Sequence, residues 1–219
     1  QVSEFRLEEQ QKEFNWVDSW IVSEGELSFE KLINDLKETG TIQKTYEATR
    51  LMDLDIPSPY INGFFDNIIK ENPDIKWSTT LETNRGCPFK CSFCDWGSLT
   101  YSKIKKFPVP KVYQEIEWLG KNKIEYIFVA DANFGVFPER DSEIVDVMLE
   151  VQDKYGYPKV FNANWHKNSK QNVIPIVKKL TSNGMNRGMT LSVQSMDTDV
   201  LKAIERKNMD MSHLKDMFD

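Results

Sequence analysis

Apolar and polar positions along residues 76–206 follow two alternating periods, which predict a series of strand–helix units. The predicted strands are 76–83, 124–130, 159–164 and 188–195. The predicted helices that follow them are 109–121, 139–154, 171–182 and 197–206. Gly120 is expected to end the first of these helices. The run Ile124–Ala130 is apolar except at Glu125, as is typical of a strand buried on both faces of a parallel sheet.

Four β–α units in this order predict parallel strands joined by right-handed crossovers. In such folds the functional site lies in the loops that follow the carboxyl ends of the strands. We therefore expect an α/β fold with its site at that edge of the sheet.

The first 50 residues have a mainly helical pattern. Trp20–Val22 is a short apolar run that suits a strand, and Leu27–Leu36 places apolar residues on one face of a helix. Gly40 fits the end of that helix. After it, Pro57 and Pro59 exclude a helix interior, because proline lacks a backbone donor and restricts its neighbour.

These changes in pattern divide the chain into three predicted parts. They are a front segment of residues 1–50, a linker of residues 51–75 and a β/α core of residues 76–219.

Charge and composition narrow the range of partners. The 219 residues include 34 acidic and 28 basic side chains, for a net charge of −6, which disfavours a nucleic acid partner. No apolar run approaches the roughly 20 residues that span a bilayer, and the start shows no export-signal pattern. We expect a cytoplasmic protein without membrane contact.

All three cysteines of the chain lie within eight residues, as Cys87, Cys91 and Cys94 in a C-x3-C-x2-C pattern. An odd, clustered cysteine count argues against a disulfide framework and favours a reducing compartment. Three thiolates this close together can hold one metal centre and leave one coordination position open.

Three interpretations of the cysteine pattern are open from the residues alone. A structural zinc site in a non-catalytic binding module would need a fourth ligand from His166, His213 or a carboxylate. Chance clustering of free thiols is a second interpretation. The third is a 4Fe–4S cluster with three cysteine ligands, where the fourth iron is open to a substrate or cofactor.

The segment Arg85–Asp95 resembles the signature loop of the radical S-adenosylmethionine (SAM) superfamily, including the aromatic Phe93 before the last cysteine. The resemblance implies a 4Fe–4S cluster on Cys87, Cys91 and Cys94, with SAM on its open iron. Reductive cleavage of SAM would give a 5′-deoxyadenosyl radical that abstracts hydrogen from substrate. It also implies a partial, TIM-like parallel βα barrel, of which this chain holds about four units.

The same resemblance implies further cofactor contacts. Phe93 would pack on the adenine side, and Asp131 would take the place where the family contacts the methionyl amino group. Ser192, Gln194 and Arg206 resemble a segment that orients SAM in coproporphyrinogen-oxidase-like and methylthiotransferase-like members. A turn-forming role for Asp131 and a solvated helix charge for Arg206 are the alternatives.

Strand three ends in polar residues. Asn162 and Asn164 share one face of that strand and, with the following His166, are candidates to line a substrate site. Turn formation explains the asparagines equally well, and a lone histidine is often structural.

The front segments resemble the cobalamin-binding members of the superfamily. Ser23–Phe29 and Leu54–Tyr60 come before the cysteine loop in the order seen there. The resemblance implies that residues 1–50 are the C-terminal remnant of a Rossmann-like cobalamin domain. It predicts a fragment that lacks most of that domain and the C-terminal part.

The predicted function is therefore that of a radical SAM enzyme acting in cobalamin-dependent methylation or a related radical rearrangement. A cobalamin-independent oxidoreductase or a methylthiotransferase-like enzyme is the alternative. The implied cofactors are a 4Fe–4S cluster, SAM and cobalamin. The implied partners are a small-molecule substrate and an electron donor such as flavodoxin or ferredoxin.

Overall fold

A computed structural model of the chain describes residues 6–47, 51–94, 103–166, 170–186, 188–190 and 192–208, with backbone only at 170 and 171. The chain divides into two compact units, Gln1–Leu54 and Asp55–Asp219. Within the described residues, no helix has the length and apolar character that crossing a membrane requires.

The first unit combines two helices with two short strands. Its elements are α1 (Leu7–Glu13), β1 (Trp20–Ile21), α2 (Glu26–Thr39) and β2 (Thr45–Tyr46). The strands pair in parallel. Gly40 ends α2 in the left-handed conformation (φ 71°), where its N–H donates to the carbonyl of Leu36 (3.0 Å). The predicted short strand and helix are confirmed here.

The second unit holds the β/α core. Its elements are α3 (Asp66–Glu71), β3 (Ser78–Leu81), β4 (Asn84–Arg85), β5 (Lys105–Lys106), α4 (Val109–Lys121), β6 (Tyr126–Phe134), α5 (Pro138–Tyr155), β7 (Val160–Trp165), α6 (Lys170–Ser182) and α7 (Thr198–Ala203). The main sheet has the order β3-β6-β7, and both pairings are parallel. The predicted α/β fold with parallel β–α units is confirmed.

Residues after the first unit pack with this core. The hydroxyls of Tyr60 and Thr79 share a hydrogen bond (2.7 Å), and the indole N–H of Trp118 donates to Asp66 Oδ1 (3.2 Å). Division of the chain at residues 50 and 75 stays a prediction.

One face of the main sheet is covered and the other is open. On β7, Phe161 and Trp165 are buried, whereas the alternating Asn162 and Asn164 are exposed. Phe161 packs against Phe134 of β6 with ring centroids 5.5 Å apart. The two asparagines share the open face, as their spacing predicts.

Gly120 has a different role from the predicted one. It is buried inside α4, which continues to Lys121. A Cβ at this position would lie 2.3 Å from Val151 Cγ1 and 2.9 Å from Tyr155 Cδ2. Gly120 therefore allows close packing of α4 on α5 and does not end the helix.

Strand β6 is longer than predicted and irregular. Val129 pairs with Ala163 and Phe134 with Trp165, so residues 130–133 of β6 face only Asn164 of β7. This β-bulge lies at the carboxyl end of the strand, where bulges often redirect side chains near active sites.

The last predicted unit is confirmed only in its helix. Asp197 caps α7, since its carboxylate accepts from the N–H groups of Asp199 (2.8 Å) and Val200 (2.9 Å). The strand predicted at 188–195 is not formed in the described residues of that stretch, 188–190 and 192–195.

Candidate functional site

The cysteine loop is tied at both ends. Strands β4 and β5 pair antiparallel, with Asn84 opposite Lys106 and Arg85 opposite Lys105. The two ends of the loop between these strands therefore lie side by side. The loop follows β3 at the carboxyl edge of the main sheet, as predicted. Gly86 begins it with φ 111°, a conformation that favours glycine over residues with a Cβ.

The three free thiols differ in exposure. Cys87 and Cys91 are buried and Cys94 is half-buried. The N–H of Cys94 donates to the carbonyl of Cys91 (3.1 Å), which makes a tight turn of the C-x2-C segment. In the part of the chain that the structure describes, no three Cys, His, Asp or Glu side chains lie in a group that could hold a metal ion.

A buried asparagine contacts the first cysteine. Asn133 Nδ2 donates to Cys87 Sγ at 3.2 Å, and the asparagine is only 1% exposed. Its Oδ1 has no hydrogen-bond partner among the described residues. No spacing signal in the sequence singled out Asn133 as a functional residue.

Asp131 holds the residues that lead into the cysteine loop. Its carboxylate accepts from the backbone N–H groups of Thr83 (2.7 Å) and Asn84 (3.0 Å). It also accepts from the Thr83 hydroxyl and from Asn84 Nδ2. Burial raises the pKa of Asp131 to about 6, although the hydrogen bonds from Thr83 and Asn84 lower it. Contact of Asp131 with the methionyl amino group stays a prediction, and its carboxylate already has these four donors.

Arg140 joins the same residues to α5. Its Nη2 donates to the Thr83 carbonyl (2.7 Å), and its Nη1 contacts Asp141 Oδ1 (3.1 Å). Asp141 in turn accepts from the N–H groups of Gly135 (2.8 Å) and Phe137 (3.1 Å). Burial raises the pKa of Asp141, while these N–H donors and Arg140 oppose the rise. No motif or spacing in the sequence pointed to Arg140.

The end of α7 reaches the cysteine loop. The N–H of Ser92 donates to the carbonyl of Ile204 (3.1 Å), and Arg206 follows two residues later. Arg206 is 5% exposed, so it is not a solvated helix charge. It donates through Nη2 to the Ser192 carbonyl and through Nε to Asn208 Oδ1 (2.8 Å).

One nitrogen of Arg206 is buried without a partner among the described residues, namely Nη1. An unpaired buried guanidinium N–H next to the cysteine loop suits an anionic group of a ligand. The side chains of Ser192 and Gln194 are exposed, as is Phe93 at 51%. Their roles toward SAM stay predictions.

His166 lies against the cysteine loop. Its ring stacks on Phe89 with centroids 5.6 Å apart, and its backbone N–H donates to the Phe134 carbonyl (2.8 Å). The other histidine, His213, falls outside the described residues.

Residues 81–214, more than half of the chain, match the sequence profile of the Radical SAM superfamily. The chain belongs to the radical SAM superfamily. The matched range includes the C-x3-C-x2-C loop, which follows the first core strand.

Two methyltransferases are similar to most of this chain. It is 41% identical over 172 residues to the cobalamin-dependent radical SAM methyltransferase TokK of Streptomyces tokunonensis, covering 77% of this chain and 25% of TokK. It is 40% identical over 164 residues to a 2-(S-pantetheinyl)-carbapenam-3-carboxylate methyltransferase of Streptantibioticus cattleyicolor, covering 74% and 24%. The chain spans about a quarter of the length of these relatives. The predicted resemblance to cobalamin-binding members is confirmed.

A solved structure shares the fold. The cobalamin-dependent SAM radical enzyme OxsB, with aqua-cobalamin and SAM bound, superposes with a TM-score of 0.60 at 18% identity. The match covers 97% of this chain and 33% of OxsB. At this identity the likeness concerns the fold alone.

Proposed function

We propose that the chain is the cluster- and SAM-binding part of a cobalamin-dependent radical SAM methyltransferase. The observation that carries the proposal is the C-x3-C-x2-C loop at the carboxyl edge of a parallel β/α sheet. Methyl transfer is favoured over the cobalamin-independent alternatives because both relatives above 30% identity are methyltransferases.

The donor chemistry of the loop suits a 4Fe–4S cluster. Cys87, Cys91 and Cys94 supply the soft thiolate donors that such clusters prefer. Asn133 supplies an N–H donor to one of these sulfurs, as is usual around metal-bound thiolates. When bound and reduced, the cluster supplies the electron for cleavage of the SAM sulfonium bond to a 5′-deoxyadenosyl radical.

Arg206 is proposed to bind the carboxylate of SAM. Its unpaired Nη1 and its burial next to the cysteine loop support this role, because a buried guanidinium binds a carboxylate strongly. Ser192 and Gln194 are proposed to orient the polar groups of SAM, and Phe93 to pack on its adenine side.

The open face of the main sheet is proposed to receive a small-molecule substrate. Asn162 and Asn164 are exposed there, and Asn162 Nδ2 donates to the Tyr126 hydroxyl (3.2 Å). Cobalamin is proposed as the methyl carrier, and flavodoxin or ferredoxin as the electron donor. The carbapenam named for the S. cattleyicolor relative is one compound to include in a substrate panel.

The test is anaerobic reconstitution of the protein with iron and sulfide. We expect about four iron and four sulfide per chain, and release of 5′-deoxyadenosine from SAM after reduction. Alanine at Cys87, Cys91 or Cys94 should abolish both. Ser92→Ala, a change of an exposed residue in the same loop, is the matched control and should keep the cluster.

Two outcomes would contradict the proposal. A colourless protein that holds one zinc ion would support a zinc-stabilised module. An assembled cluster that cleaves SAM but gives no methylated product with any cobalamin addition would leave only the radical SAM part of the proposal.

A further inference from the structure

The carboxyl end of β6 brings an amide donor to a cysteine sulfur. Asn133 lies in the bulged segment 130–133 and is 1% exposed, and its Nδ2 is 3.2 Å from Cys87 Sγ. We propose that Asn133 is a positioning residue that raises the reduction potential of the cluster. The inference rests on the proposed function, because it requires a cluster on the cysteine loop.

The contact is fixed from both sides. Asp131, two residues earlier on β6, accepts from Thr83 and Asn84, which lead into the loop. Strand and loop are therefore joined at two places, first at Asp131 and then at Asn133. A thiolate sulfur accepts hydrogen bonds and cannot donate them, so the amide N–H has to face it.

The effect on the potential follows from charge. Reduction adds an electron whose charge spreads over the sulfurs of the cluster and its ligands. An N–H dipole aimed at a sulfur stabilises the reduced form more than the oxidised form, and hydrogen bonds to sulfur are among the determinants of cluster potential. Burial strengthens the effect, because a hydrogen bond in a low dielectric is electrostatically stronger.

Replacement of Asn133 by leucine removes the donor at nearly constant size. Loss of a donor to a buried sulfur acceptor weakens the reduced state more than the oxidised state, because the reduced state carries the additional negative charge. We expect the ratio of reduced to oxidised cluster at a fixed potential to fall about tenfold. That corresponds to a midpoint about 59 mV more negative for a one-electron couple.

The experiment is an EPR-monitored redox titration of reconstituted wild type and Asn133→Leu. Asn183→Leu is the control, because Asn183 is exposed after α6 and also loses one amide donor bond, to the Lys179 carbonyl (2.8 Å). The control should titrate like wild type. An unchanged midpoint in Asn133→Leu with full iron and sulfide content overturns the inference alone. A wild type without any cluster overturns the proposed function as well.

A second measurement works even if Asn133→Leu fails to assemble a cluster. Wild-type protein with ¹⁵N in its asparagine side chains is reconstituted, reduced without SAM and studied by pulsed EPR. We expect a weak ¹⁵N hyperfine coupling between the reduced cluster and Asn133 Nδ2, which donates to Cys87 Sγ. Absence of any coupling overturns the inference.

Discussion

Replacement of Asp131 by alanine is expected to destabilise the second unit strongly. The carboxylate is fully buried and accepts four hydrogen bonds from Thr83 and Asn84. Alanine removes every acceptor and leaves these donors facing an apolar methyl group. The expected loss therefore comes from buried polar groups that cannot find another partner.

The magnitude depends on which donors can turn away. The Thr83 hydroxyl can rotate, and it also contacts Arg140 Nη1 (3.2 Å). The backbone N–H groups of Thr83 and Asn84 are fixed. An unpaired buried donor costs about 1–3 kcal/mol, so the two together predict a loss of about 2–6 kcal/mol in the free energy of unfolding. That is a large part of the 5–15 kcal/mol typical of a folded protein.

Urea unfolding followed by circular dichroism measures the loss as a lower midpoint at an unchanged slope. Asp146→Ala is the control, because Asp146 is half-exposed and pairs with Lys179 at 2.6 Å. Such surface pairs contribute about 0–1 kcal/mol. If Asp131→Ala and Asp146→Ala lose the same small amount, the reasoning from buried donors is refuted.

Three further perturbations test other parts of the structure. Burial raises the pKa of Asp131 from 3.8 to about 6, so a protonated Asp131 stabilises the folded state relative to the unfolded state. This stabilisation is complete below pH 3.8 and is lost as the pH rises through about 6. The unfolding free energy of wild type relative to Asp131→Asn should therefore decrease as the pH rises across that window, and a flat difference in urea titrations would contradict it. Gly120→Ala forces a methyl group to 2.3 Å from Val151 Cγ1 and should lower the free energy of unfolding by about 1–3 kcal/mol, measured as a lower melting temperature. An unchanged melting temperature would mean that α4 and α5 move apart freely. Arg206→Lys keeps the charge but loses the planar guanidinium, and it should weaken SAM binding about 10–100-fold in isothermal titration without loss of iron. Lys207→Met, at an exposed position, should leave the affinity for SAM unchanged. Equal affinities for SAM in Arg206→Lys and wild type would remove Arg206 from the site.

The periodic parts of the fold could be predicted from the sequence, and the irregular parts could not. Helices α4, α5 and α6 lie where their apolar spacing predicts, because each buries one continuous stripe. The prediction for β6 stopped at Ala130, because Asp131 and Asn133 are polar. In the structure they continue the strand, because Asp131 accepts from Thr83 and Asn84 and Asn133 donates to Cys87 Sγ.

The strand predicted at 188–195 shows the opposite error. Its pattern is suitable for a strand, but a strand also needs a neighbour with matching register. On β7, the backbone N–H of Phe161 donates to the carbonyl of Met185 (2.8 Å), and Met185 precedes the predicted strand. Local pattern cannot report which carbonyl occupies such an edge.

The candidate site was predictable only where its residues are close in sequence. The spacing of Cys87, Cys91 and Cys94 predicted a metal-binding loop without any structure. Asn133 contacts Cys87 from β6, and Arg140 contacts Thr83 from α5. A single asparagine or arginine has no periodic spacing in the sequence that would mark it as functional. Three-dimensional contact was needed to find them.

The antiparallel pairing of β4 with β5 makes the cysteine loop a closed excursion between a strand and the helix that follows it. Strand β3 ends at Leu81, three residues before Asn84, and α4 begins at Val109, three residues after Lys106. The paired segments, and not the cysteine loop, therefore carry the chain from β3 to α4. A change inside the loop can leave β3 and α4 where they are, whereas a change that breaks the β4–β5 pairing moves the loop and the start of α4 together.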